Sequence, residues 1–455
     1  MAATHVSTVD PRRLARLMSA ELERFAQAHV RSGKLHERAR TSLVDGVPMN
    51  WMTEWASPFP LFVEHASGAS FRCVDGHDYV DFCLGDTGAM AGHGPPATIA
   101  AVERQMRRGI THMLPTEDAI AAGEELARRF GLPLWQFTIT ATDANRFAIR
   151  LARRITGRSK ILVHDGCYHG SVDETLATLD PDGRVVATEL NIGPPVDPAL
   201  TSRVVPFNDI DALEQALADE AVAAVLIEPA LTNVGIVLPE PGYHDALREL
   251  TRQSGTILII DETHTICAGP GGMTARDGLE PDMLVIGKTI GGGIPAGTYG
   301  MTQAIAERVR TALPERADVG GIGGTLAGYA LSTAAIRATL GEVLTDEAFA
   351  RMIPLAERWE SGVNEVIQSH RVPWHVTRLG ARAEYHFTPT PPRDGAEQMR
   401  HADPLLERYL HLAVMNRGIL MTPFHNMALM SPVTTAADVD RHTAVFDEVV
   451  AALVA

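Results

Sequence analysis

Three apolar runs in the middle of the chain each end on one ionisable residue. VAAVLIE stops at Glu228, TILIID at Asp261 and MLVIGK at Lys288. Each run is short, aliphatic or β-branched, and free of alternation, the pattern of a strand buried on both faces of a sheet. Open α/β sheets bind ligands outside the carboxyl ends of their strands. Two carboxylates and a lysine converging there make a reaction site.

The surrounding chain supports an α/β class. From 97 to 330 helical and strand patterns alternate: helix ATIAAVERQMRR, helix EDAIAAGEELARRF, strand WQFTIT, helix DANRFAIRLARRITG, strand KILVHD, then RVVPF, DIDALEQALA and the three runs above. Such alternation predicts a mostly parallel sheet covered by helices, forming a large domain. Residues 1–96 read as an N-terminal arm and part of a small domain. Residues 10–42 carry one amphipathic helical pattern, with Leu14, Leu17, Met18, Leu22 and Phe25 on one face, and a β-meander follows over LFVEHASG, SFRCVDG and DYVDF. Residues 331–455 read as a smaller C-terminal α/β domain with a strand pair at WHVTRLG and AEYHFTP.

Charge and composition exclude several classes. A formal net charge of −16 argues against nucleic-acid binding and against an anionic membrane surface, without excluding an anion held locally. The four cysteines form no C-x-x-C pair, so no zinc site or other metal centre is expected. No run approaches the roughly 20 apolar residues of a membrane span. The first residues, MAATHVSTVDPRRLARL, lack an apolar signal core, which predicts a cytoplasmic protein with free thiols. No G-x-G-x-x-G follows an early strand, which sets a dehydrogenase aside.

The residues at the strand ends carry their own chemistry. Lys288 opens KTIGGGIPAG, where a desolvated amine can form a Schiff base and the glycines let a ligand approach the backbone. Asp261 is the carboxylate that pyridoxal-phosphate chemistry requires opposite the pyridine nitrogen. Glu228 can tune the cofactor, hold a loop or bond to backbone. Thr140-Ala141-Thr142 precedes a helix with an apolar stripe at Ala144, Phe147, Ala148, Leu151, Ala152 and Ile155. Its start offers backbone N–H groups and two hydroxyls to an anion, or a plain threonine cap. Tyr168 in GCYHG can stack on a planar ring, with His169 behind it. Thr325 in GGTLAGYAL adds another hydroxyl before a helix.

Taken together, these motifs resemble the class III, fold type I pyridoxal-phosphate-dependent aminotransferases, with closest likeness to the glutamate-1-semialdehyde aminomutase branch. The likeness runs from about Pro58 to the end and is most specific in EPALTNVGIVLPEPGY, DET and PDMLVIGKTIGGGIPAGTYG. It implies that Lys288 bonds covalently to pyridoxal 5′-phosphate, Asp261 pairs with the ring nitrogen and Tyr168 covers the ring. Thr140, Ala141 and Thr142 would bind the phosphate, and Thr325 would reach the phosphate of a neighbouring subunit in a homodimer with shared active sites.

Three departures bear on the substrate. The phosphate loop reads T-A-T-D where the family has S-G-T-E. No arginine stands in PMNWMTEWA, and Phe424-His425 occupies the place of a C-terminal carboxylate-binding arginine. Both bidentate clamps are therefore missing. Trp51, Met52, Trp55 and Met90 are candidates to line the pocket, with His425 at the site of the lost arginine and His264 beside the ring. The reading is a ping-pong aminotransferase acting on a small-molecule amine or amino acid and a keto acid or aldehyde. An intramolecular aminomutase is the nearest rival, a racemase or lyase the next.

Overall fold

A computed structural model describes residues 9–193, 196–313 and 320–455. The chain divides into two compact units. One comprises Met1–Gly94, Ala350–Pro391 and Arg400–Ala455, the other Pro95–Phe349 and Pro392–Met399.

The second unit is built on seven strands: β1 (Leu134–Thr138), β2 (Lys160–His164), β3 (Ser202–Val205), β4 (Val222–Ile227), β5 (Ile257–Asp261), β6 (Met283–Gly287) and β7 (Gly297–Met301). Their order across the sheet is β1-β7-β6-β5-β4-β2-β3. Neighbours from β6 to β3 pair in parallel, and β7 runs antiparallel to both β6 and β1. The fold is α/β with a mostly parallel sheet. Strand β7, GTYGM, has no apolar run to announce it, because two glycines stand where side chains would show alternation.

All residues of β4, β5 and β6 are buried. Alternate side chains serve opposite faces, as the pleat requires. Leu226, Ile259 and Val285 join Ala144, Phe147, Ala148 and Leu151 of the helix Ala141–Thr156 in one cluster. Val225, Ile227, Leu258 and Ile260 join Leu213, Leu217 and Leu247 of the helices Ile210–Leu217 and Tyr243–Ser254 in another. Each fully buried aliphatic side chain contributes roughly 1.5–3 kcal/mol, so the two layers hold the strand ends firmly in place. The helix Ala330–Ala338 packs its small buried residues on the helices Pro96–Met106 and Glu117–Phe130, which keeps it in this unit rather than in a domain starting at 331.

In the first unit, the strands Val63–Ser67, Ser70–Cys73 and Asp78–Asp81 form an antiparallel meander, extended in parallel by Ile419–Leu420. A second sheet orders His375–Leu379, Arg382–His386 and Met427–Leu429. The amphipathic pattern over 10–42 folds as two helices, Pro11–Ala28 and Val30–Ala39. They break at His29, whose ring meets the Phe25 carbonyl at 2.8 Å and the Tyr79 hydroxyl at 2.7 Å. No described helix is long and apolar enough to cross a membrane.

Glycine at 297 is a steric necessity. A Cβ there would lie 2.4 Å from the Thr140 carbonyl, whereas one at Gly123, inside the helix Glu117–Phe130, would meet nothing within 4 Å. Gly297→Ala is expected to destabilise the protein by about 1–3 kcal/mol, and Gly123→Ala to stabilise it by about 0.5–1 kcal/mol. Denaturant midpoints of the two variants should move in opposite directions.

Candidate active site

The parallel strands deliver their candidate residues to one edge. Asp261 is the last residue of β5, while Glu228 and Lys288 directly follow β4 and β6. The register pairs Asp261 with Val285 and Ile260 with Ile227, so the three ends are adjacent. The 140–142 loop follows β1, and the 166–170 turn follows β2.

Asp261 is buried and held by three donors. Its Oδ2 accepts from Asn145 Nδ2 at 2.8 Å and from His169 Nδ1 at 3.0 Å, and its Oδ1 accepts from the Thr263 N–H at 3.0 Å. Burial works to raise its pKa, but the bond and charge of His169, with the Thr263 and Asn145 bonds, bring it below the usual carboxylate value. Desolvation pulls His169 the other way, yet Cys167 and the Asp261 bond raise it well above an ordinary histidine. The pair is therefore an aspartate facing an imidazolium. A carboxylate offers about four acceptor sites. With three taken, Asp261 can receive one further N–H donor, which suits a protonated pyridine nitrogen.

Neither Asn145 nor the link from His169 to Asp261 was legible in the sequence. Asn145 sits beside the apolar stripe of the helix Ala141–Thr156 with 0 % exposure, and its amide also donates to the His169 carbonyl at 3.1 Å. A lone amide in a buried stripe is the signal that marks it, because burying it without partners is costly.

The helix Ala141–Thr156 begins with Thr140 as its cap. Thr140 Oγ1 accepts from the Asp143 N–H and donates to Asp143 Oδ2, both at 3.1 Å. This turns the Asp143 carboxylate back onto the cap. The N–H groups of Ala141 and Thr142 have no acceptor within the helix, the geometry that receives a phosphate. Ala141 is the first helical residue, so the glycine usual at that position in the family is not needed for its backbone. Thr142 Oγ1 accepts from the Ser171 N–H at 3.3 Å and ties this loop to the 166–170 turn.

Glu228 is buried and bonded away from Lys288. The Thr232 hydroxyl donates to its Oε2, and the Tyr168 N–H donates to its Oε1 at 3.4 Å. Burial raises its pKa, partly offset by His169 and Thr232. Its geometry is that of a loop holder under Tyr168. Glu262 does the same for the next loop, accepting from the Met273 N–H at 3.2 Å, the Thr274 hydroxyl at 2.6 Å, and the Thr265 hydroxyl.

Lys288 has a φ of +50°, a conformation that costs a residue with a Cβ roughly 1–2 kcal/mol. Its Nζ lies 2.7 Å from His264 Nε2. His264, expected as a substrate contact, thus touches the lysine itself. Thr325 is exposed in the turn before the helix Ala330–Ala338, and among the described residues no hydrogen bond joins it to the Asp261 cluster.

The remaining candidates lie in the first unit. Trp51 meets Phe424 edge-on at 5.5 Å, and Phe424 meets His425 at 5.1 Å. His425 Nδ1 lies 3.6 Å from the buried Glu384, which also pairs with Arg382 at 3.3 Å. Burial opposes ionisation of Glu384, but His425 and Arg382 hold it well below the usual carboxylate range. Met90 is fully buried, and Trp55 is half-buried.

The Asp261–His169 pair has a pH signature. Asp261, with a lowered folded pKa, adds stability above the unfolded value near 4 and loses it as pH falls through the folded value. His169, with a raised folded pKa, adds stability that is complete below about 6.5 and is lost as pH rises through its folded value. In the protein freed of cofactor, His169→Gln is therefore expected to cost the most stability between about pH 4 and 6.5. Breaking one side of such a buried pair costs about 3–5 kcal/mol, measurable as urea midpoints of the variant and wild type across pH.

Comparison with known proteins agrees with this site. The class-III aminotransferase family model matches residues 51–450. The glutamate-1-semialdehyde 2,1-aminomutase of Chloroflexus aggregans is 32% identical over 419 residues, covering 87% of this chain and 91% of that protein. A structure from Pseudomonas aeruginosa PAO1, described as a glutamate-1-semialdehyde-aminomutase, is 49% identical with a TM-score of 0.96, covering 98% of this chain and 100% of the other. Its lysine-to-alanine variant, in complex with PMP, superposes with a TM-score of 0.95 at the same identity and coverage. An omega-transaminase of Sphaerobacter thermophilus is 32% identical with a TM-score of 0.85, covering 92% and 97%. The fold is that of the type I pyridoxal-phosphate enzymes, the cofactor is pyridoxal 5′-phosphate, and the chain belongs to the class-III aminotransferases.

Proposed function

We propose that this protein moves an amino group within a single substrate, as a glutamate-1-semialdehyde 2,1-aminomutase does. The observation that carries this reading is the end-to-end likeness, at nearly half identity, to the Pseudomonas aeruginosa protein. It outweighs the intermolecular, ping-pong reading that the altered pocket residues suggest.

The residues divide the work as follows. Thr140, Ala141 and Thr142 hold the cofactor phosphate at the helix start, with Thr325 of a second copy completing it. Asp261, kept ionised by His169 and Asn145, faces the ring nitrogen. Tyr168 covers the ring, and Glu228 holds the Tyr168 backbone. The bound cofactor supplies an electron sink for charge at the substrate carbon. Lys288 anchors it, then takes a proton from one substrate carbon and returns a proton to the neighbouring one. Trp51, Trp55, Met90 and His425 form the substrate pocket, which lacks an arginine fork and so holds a carboxylate by other groups.

Transfer between two substrates is the second reading, favoured by the missing arginines and by the omega-transaminase likeness. Purified holoprotein given glutamate-1-semialdehyde alone is expected to form its isomer, 5-amino-4-oxopentanoate, without any keto acid. No isomer, together with transfer from amines to pyruvate or 2-oxoglutarate, would establish the second reading instead. In either case Lys288→Ala is expected to lose the visible absorbance of the lysine-bound cofactor and about 10²–10⁴-fold in rate.

The working assembly is a homodimer. Met106, Met113, Leu114 and Ile120 are exposed apolar residues that a second copy would cover. Light scattering is expected to give twice the chain mass, and Thr325→Ala to retain the dimer while losing cofactor more readily on dialysis.

A further inference from the structure

The hydrogen bond between Lys288 and His264 has a chemical use. Both residues are fixed by backbone. His264 lies three residues beyond Asp261 and directly before the turn Thr265–Ala268, with φ −99° and ψ −38°. That turn is pinned from within by the buried Glu262, which accepts from Thr265, Met273 and Thr274. Lys288 leaves the adjacent strand in a left-handed conformation. The two side chains meet at 2.7 Å, and each is only partly buried.

The carboxylates around them are committed elsewhere. Asp261 is engaged by Asn145, His169 and Thr263. Glu228 is engaged by Thr232 and Tyr168, and Glu262 by its own loop. His169 binds Asp261 through Nδ1. His264 is thus the imidazole in direct contact with the reacting amine.

An amine that removes a proton from carbon becomes an ammonium, and it acts as a base again only after giving a proton away. A reaction that uses the same lysine at two neighbouring carbons needs this reset in every cycle. Imidazole is the side chain suited to exchange protons near neutrality.

The geometry points to His264 as a second proton carrier, passing a proton to and from Lys288 Nζ between the two carbon protonation steps. This rests on Lys288 being the cofactor-bearing lysine. The substrate C–H bond breaks, and its proton goes to the lone pair of the Lys288 nitrogen. One ammonium N–H proton then passes to Nε2 of neutral His264, in the tautomer with Nδ1 protonated. It returns by the same path to Lys288, which delivers a proton to the second carbon. No electrons are gained or lost.

The test uses holoprotein of the wild type, His264→Gln and His264→Ala. Borohydride reduction and peptide mapping come first and are expected to find the cofactor on Lys288 in all three. Label on a different lysine in the wild type would overturn the assignment of Lys288, and this inference with it. The rate is read with glutamate-1-semialdehyde, or with an amine and pyruvate if the wild type turns over only that pair, so the failure of the proposed substrate is seen separately. Both variants are expected to lose about 10²-fold in kcat with KM within twofold, and added imidazole to restore at least tenfold of the loss in His264→Ala. The pH midpoint of the visible absorbance of the cofactor–lysine bond is expected to shift in both. A glutamine variant with kcat within threefold of wild type, or an alanine variant indifferent to imidazole, would show that His264 only props the lysine and would overturn the proposal.

Discussion

The buried ion pair between Asp261 and His169 is the contact on which the site is organised. It joins the end of β5 to the turn after β2, and Asn145 adds the helix that follows β1. Three separate stretches of chain thus converge on one carboxylate. Ionising a carboxylate away from water is unfavourable unless donors surround it. Here the donors are also the parts that must be positioned: the helix start that can take a phosphate and the turn carrying Tyr168. The same bonds that keep Asp261 charged therefore set the dimensions of the space above it.

Glycines and buried carboxylates finish the construction. Gly287 leaves room for Ala141, since a Cβ there would lie 2.9 Å from the alanine's methyl group. Glu228 and Glu262 act as anchors for the loops that follow their own strands. Acidic residues at strand ends read alike in a sequence, but burial and partners separate them into one that faces a ring and two that hold backbone.

Much of this was legible because apolar runs and helical stripes report burial directly. The six parallel strands, the helix after Thr140 and the residues Lys288 and Asp261 all lie where period and punctuation place them. The rest depends on contacts distant in sequence. Strand β7 is hidden because glycines at 297 and 300 are chosen for close approach to Thr140 and Trp135, which erases its apolar pattern. The bond from His169 to Asp261 spans 92 residues and the one from Asn145 spans 116, beyond the reach of any local periodicity. The break at His29 depends likewise on Tyr79, fifty residues on. His264 stood out as unusual beside the ring, but its true neighbour, the lysine, emerged only once the ends of β5 and β6 lay side by side.

The left-handed backbone at Lys288 sets a limit on how stable this fold can become. Glycine is the residue that would relax that conformation, and glycine carries no amine. Selection for robustness alone would thus favour discarding the reactive group, while selection for turnover preserves a local strain of roughly 1–2 kcal/mol. The tightly layered sheet beneath it supplies the surplus that lets such a residue persist.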